Sequence, residues 1–266
     1  MDLPKEILNA IEEITKDADD IDKAADELFP FYQYEVDGVY EERIMPSLSI
    51  AQKRYFHSSL TKLKNIWYIH NNIEELDTKY LKFINYCIGR QDFRSAYFTK
   101  AETYSPYIYI LYPHFEAIEF ENILSQGKSC MDCFSRAIGS LFKNEAKNID
   151  KLKIVLEGIS NEGNKAATIL KVIQAEENNL RGLTLATKKE NKISVRDLIN
   201  HWQKAPIHFY IYKDKEARYS TTSGAVLDMH HPRIELMSNY LVKNIATNIW
   251  YYSLKVISNT FKVLIQ

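Results

Sequence analysis

Cysteine is scarce in this chain of 266 residues, where Cys87, Cys130 and Cys133 are all it has. Three thiols are too few for a disulfide framework, and an odd count fits free, buried thiols in a reducing compartment. Cys130 and Cys133 form a CxxC, but inside an expected helix and with no second ligand pair in the sequence, which reads as packing rather than metal or redox chemistry. Long uncharged apolar runs are missing as well. None approaches the roughly 18 residues of a membrane span, and the opening "MDLPKEILNAIEEI" carries acids where a secretory signal carries bases. The expectation is a cytoplasmic protein with no membrane partner. "GNK" and "QGKS" lack the spacing of a phosphate-binding loop. There is no internal repeat and no low-complexity tract. Asp228, His230 and His231, in "DMHHP", read as a turn before the last helix rather than as a metal site. No cofactor or metal is expected.

What is present is apolar material, 45% of the residues, with a net charge of only −1. That is enough for one large or two modest globular domains. The balance conceals a split. Residues 1 to 48 hold fourteen acids and four bases, a charge of −10, and the remaining 21 acids and 30 bases leave +9. An acidic arm thus precedes a body basic enough to attract a polyanion, although such an arm also serves solubility or covers its own basic surface. Within the arm Ile7, Ile11, Ile14, Ala18, Ile21, Ala25 and Leu28 keep a strict heptad seam, which requires a partner helix, intramolecular or from a second subunit.

After a break at Pro30, Gly38 and Pro46, the apolar spacing predicts helices from about Ser49 to His70 and from about Glu74 to Ile88. "YSPYIYILYP", residues 104 to 113, suits a short strand or a buried extended linker, and a domain boundary is expected there: a helical region at 1–113 and a helical bundle at 114–266. In the bundle the longest helix runs from about Phe115 to Phe142. Phe120, Ile123, Leu124, Gly127, Met131, Phe134, Ile138 and Leu141 share its apolar face, with Gly127 admitting a close neighbour; Ser125, Ser129, Asp132 and Arg136 read as the solvated face. Helices follow near Ile149 to Ile159 and Lys165 to Arg181, and then the segment "KISVRDLINHW". Ile207, Phe209 and Ile211 alternate into a hairpin, and a last helix carries Ile234, Met237, Leu241, Ile245, Ile249 and Tyr252 on its inner face. The fold class is mainly α: an antiparallel helical bundle with a β-hairpin inserted before the last helix, preceded by a helical N-terminal extension.

The chemistry-bearing cluster lies in "KISVRDLINHW". Ser194 with Asp197 resembles a capping box that starts a helix. On that helix Asp197 lies one turn from His201, and Arg196 one turn from Asn200. A carboxylate beside an imidazole favours its charged form and suits proton transfer near neutral pH, and a guanidinium fork binds a phosphodiester. The plain alternative is a cap, a solvated arginine and a histidine at a helix end. With nine Arg and seven His, an Arg followed by His after four to six residues arises by chance ~0.7 times in such a sequence. Requiring four spacers and an Asp, Asn or His directly after the Arg lowers this to ~0.03, and Arg196 to His201 is the one match.

"RDLINH" resembles the R-x(4–6)-H motif of the HEPN superfamily, helical bundles that are often homodimeric and often metal-independent ribonucleases of toxin, defence and RNA-processing systems. The resemblance implies Arg196 and His201 as a catalytic pair with Asp197 as the supporting polar residue. It also implies single-stranded RNA as partner, contacted by Asn200, Lys192 and Lys204, and a homodimer. The resemblance covers residues 115 to 266 in architecture and six residues in motif. Two alternatives stay open: a module of this kind that binds RNA or protein without cutting, and a helical scaffold unrelated to nucleic acid.

Overall fold

A computed structural model describes residues 36–92, 94, 107–111, 113–160, 165–185, 193–202, 207–213, 216, 218–227 and 240–266, with the backbone alone for 107–111, 201–202 and 240. The heptad seam, Lys192, Lys204 and the "DMHHP" turn lie outside these residues.

Ser49 opens the longest helix, α1 (Ile50–Gly89). Its hydroxyl accepts the Gln52 N–H while the Gln52 side chain accepts the Ser49 N–H, a capping box that satisfies two donors at once. Two helices were expected across this stretch, and the structure has one. Asn71 and Asn72 are mediocre helix formers, costing at most ~0.7 kcal/mol each, and Ile73 beyond them is fully buried on the same face as Phe56, Leu60, Leu63 and Ile66. Tertiary burial outweighs the local preference of two residues.

The second long helix, α2 (His114–Leu141), packs along α1. Its expected apolar face is buried from Phe120 to Ile138, with Leu141 half-buried, while Ser125, Ser129, Asp132 and Arg136 are not buried. Next come α3 (Ile149–Ile159), capped by Asn148, and α4 (Lys165–Glu176), which tightens into a 3-10 turn at Glu177–Asn179. The motif helix is α5 (Val195–Trp202) and the closing helix α6 (Val242–Ile265). Ahead of α1, residues 36–39 are helical, not broken at Gly38, and run into a π-helix at Tyr40–Ile44 and a 3-10 turn at Met45–Ser47. Gly127 is a point of close approach of α2 to α6 and to the 181–185 turn: a Cβ there would lie 2.8 Å from Ile249 Cγ2 and 2.8 Å from Thr184 Cγ2. Buried side chains from Val36 to Val263 form one contiguous cluster that includes α1, α2 and α6, and the expected boundary near residue 113 passes through it.

The hairpin is one part of a small antiparallel sheet. Its central strand β2 (Ile207–Lys213) pairs on one edge with β1 (Tyr107–Leu111), and on the other with β3 (Tyr219–Thr221) and β4 (Val226–Leu227); β5 (Tyr240–Leu241) follows β4. Ile207, Phe209 and Ile211 are buried, as their alternation predicts. The last helix differs from expectation at its start. Leu241, expected on its inner face, pairs with Val226 as a strand residue, and the Val242 N–H donates to the Ala225 carbonyl at 2.8 Å. Only after the sheet has claimed these groups does the helix begin. Ile245 and Ile249 are buried and Tyr252 half-buried. The fold is thus mainly helical with a small antiparallel sheet, and among the described residues no helix is long and apolar enough to cross a membrane.

Candidate functional site

The motif helix is held by a turn that precedes it in the chain. Gly182 has φ +80°, a left-handed conformation open to glycine, which lets residues 181–185 double back. Two carbonyls of that turn then receive the first N–H groups of α5: Val195 donates to Gly182 at 2.7 Å and Arg196 to Leu183 at 3.1 Å. These are donors that a helix start would otherwise leave unpaired. The turn is itself fixed by buried charge. Arg181 bonds Glu177 and Asp150, each at 2.6 Å, and Lys153 bonds Glu177 at 2.5 Å, so ion pairs tie α3, the end of α4 and the turn together.

At the cap, the Asp197 N–H donates to the Ser194 hydroxyl at 3.1 Å, as the capping pattern predicts. The return half differs from a standard capping box. The Ser194 hydroxyl itself donates to Asp197 Oδ2 at 2.8 Å. Asp197 Oδ1 lies 3.0 Å from the Arg196 guanidinium. Val195, Leu198 and Ile199 form the buried face of α5, Arg196 and Asp197 lie at its edge, and Asn200 is exposed. The helix therefore brings Arg196 and Asp197 together and carries Asn200 one turn further. His201 belongs to the same helix, and its side chain, with Lys192 and Lys204, is outside the described residues.

A second constellation carries no sequence motif. Asp77 of α1 is buried and accepts the Ala225 N–H at 2.8 Å. Burial pushes its carboxyl up to about 6, against the Ala225 hydrogen bond and the Lys243 charge, which lower it. Glu116, fully buried near the start of α2, has no hydrogen-bond partner for either oxygen among the described residues. Its burial, and then the charge of Asp77, push it up to about 9, so it is a neutral acid at physiological pH. On the same face of α1, the His70 ring bonds Thr247 of α6 at 2.8 Å. The available signal was positional. Glu116 stands four residues before Phe120 and seven before Ile123 on an apolar face, and Asp77 stands four after Ile73.

Cys87 and Cys130 are buried and Cys133 is half-buried, all three as free thiols. The Cys130 Sγ lies 3.4 Å from the Ser59 carbonyl, and burial pushes its thiol up to about 12. Among the described residues no three His, Cys, Asp or Glu side chains are grouped to hold a metal ion. No family model, no curated protein and no solved structure matches the chain.

Proposed function

We propose that the chain is a HEPN-like protein that cleaves single-stranded RNA through Arg196 and His201, and that it acts as a homodimer in a defence or toxin–antitoxin setting. The observation that carries the reading is the fixed position of Arg196. Its backbone is bonded into the 181–185 turn, its guanidinium is held by Asp197, and its side chain keeps a quarter of its surface in solvent. A cation held at the surface before substrate arrives stabilises charge at little reorganisation cost. In the reaction the ribose 2′-hydroxyl attacks the adjacent phosphorus and gives up its proton, the 5′-oxygen leaves and takes one, and His201 carries the proton between them. Arg196 stabilises the charge that develops on the phosphoryl oxygens. The chain's own side chains supply these steps. DNA lacks the 2′-hydroxyl and is spared.

Asp197 favours a second reading, binding without cleavage. Both its oxygens already have partners, Arg196 and Ser194, which weakens its hold on a histidine one turn away. One experiment separates the two. Purified protein is incubated with mixed RNA in EDTA and the fragments are assayed for 2′,3′-cyclic phosphate ends. Cleavage that disappears in His201→Ala, with folding unchanged, supports the enzyme; retained RNA without fragments supports the binding module; neither cleavage nor retention sinks both.

A further inference from the structure

A recess of about 290 Å³ lies where the start of α1 meets the end of α2, with Tyr55, Arg136, Ser140, Lys143, Asn144 and Glu145 in its wall. We propose that it binds one nucleotide of single-stranded RNA, its phosphate between Arg136 and Lys143 and its base against the Tyr55 ring beside the Arg136 guanidinium. The identity of the strand rests on the RNA reading above.

Three observations point there. The Arg136 guanidinium carbon sits 5.9 Å from the centre of the Tyr55 ring. The acid one turn before it, Asp132, is bonded to Lys128 instead, and among the described residues neither Arg136 nor Lys143 forms a salt bridge. Lys143 provides the third. It has φ 57° and is the only non-glycine residue with positive φ among those described. The helix end explains that backbone: Lys143 donates to the Ser140 carbonyl at 3.1 Å and Asn144 to Gly139 at 3.0 Å, a closure whose left-handed position normally belongs to glycine. Here a lysine occupies it at a conformational cost, and lines the recess.

Cations at a helix C-terminus also complement its dipole, and that accounts for the charges. It accounts neither for an arginine laid over a tyrosine nor for a lysine where glycine fits better. Glu145 and the negative end of α2 both oppose an anion, so the affinity comes from stacking as much as from charge. Planar guanidinium and aromatic faces stack bases with little regard to sequence. The volume is at the lower end of the ~300–1,000 Å³ of ligand pockets, which fits a single nucleotide unit.

The full chain is titrated with a labelled ten-residue oligouridine, and separately with UMP, at several salt concentrations. Tyr55→Leu and Arg136→Gln are expected to weaken the oligomer about tenfold. Lys143→Gly is expected to reduce the slope of log affinity against log salt by about 0.7, the loss of one phosphate contact on a single strand. Its melting temperature should hold or rise, because glycine suits the position. If UMP displaces the oligomer, a free nucleotide suffices; if it does not while the variants still weaken the oligomer, the unit is read only within a strand. Both results support the site. Three variants that bind like the wild type, while Arg196→Ala weakens binding, overturn the recess and leave the RNA reading intact. Recess variants that lose binding in a protein that never cleaves RNA keep the recess and remove the cleavage. No binding of either ligand at low salt overturns both.

Discussion

The Asp77 carboxylate accepts the Ala225 backbone N–H at 2.8 Å, and Gly224 beside it has no space for a side chain, since a Cβ would lie 2.7 Å from Asp77 Oδ2. One acid of the longest helix thereby holds the loop that joins β3 to β4. Gly224→Ala should destabilise the protein by about 1–3 kcal/mol, because the carboxylate cannot yield without giving up its hydrogen bond. Urea denaturation measures it. A change below about 0.5 kcal/mol would show that the loop moves freely past Asp77.

Glu116 and Asp77 set an unusual pH dependence. Both are raised above their ordinary 4.5 and 3.8, to about 9 and about 6, so the folded state binds more protons than the unfolded state between those values. Stability therefore falls as pH rises, by up to about 1.4 kcal/mol per pH unit for each proton. The Asp77 part is lost between about 4 and 6, and the Glu116 part between about 4.5 and 9. Glu116→Gln should be more stable than the wild type at pH 8, and its stability should vary less from pH 6 to 9. Parallel stability curves for the two proteins would count against a buried neutral acid.

Much of the helical frame was legible because it is local. Ser49 with Gln52, and Ser194 with Asp197, mark helix starts by residues three apart, and Gly127 among large apolar side chains marks a close approach. The continuity of α1 through Asn71 and Asn72 was not legible, since it depends on Ile73 finding a buried place against other helices. Nor was the strand partner of β1, which lies about a hundred residues away, or the influence of the Asp77 charge on Glu116. In the candidate site the cap and the Arg196–Asp197 neighbourhood follow from sequence order. The turn that anchors them owes its place to Arg181, whose two acid partners come from different elements.

That anchoring gives a third expectation. Glu177 is buried and bonded to both Lys153 and Arg181, and Glu177→Ala leaves two cations without it. The cost should be about 3–5 kcal/mol, the range for breaking a buried pair. Amide exchange at Val195 and Arg196 should quicken by more than it does in the helix α2, because the carbonyls they bond belong to the released turn. Uniform quickening through the chain would mean that the network supports the whole fold rather than α5.

Gly127→Ala places a methyl against Ile249 and Thr184 and should cost about 1–3 kcal/mol. Thr184→Ser removes one of the two opposing methyls, so the double variant should recover part of the loss, with a coupling energy of at least about 0.5 kcal/mol. Strict additivity would place the strain elsewhere.

The position of β2 in the sheet has a consequence for synthesis. β1 leaves the ribosome about a hundred residues before its partner, and at about 5–20 residues per second it waits roughly 5–20 s. Throughout that interval "YIYIL" offers an unpaired edge of aromatic and β-branched residues to any neighbouring chain. Crowded translation at high expression should thus favour aggregation through this segment, and slower expression at lower temperature should raise the soluble yield.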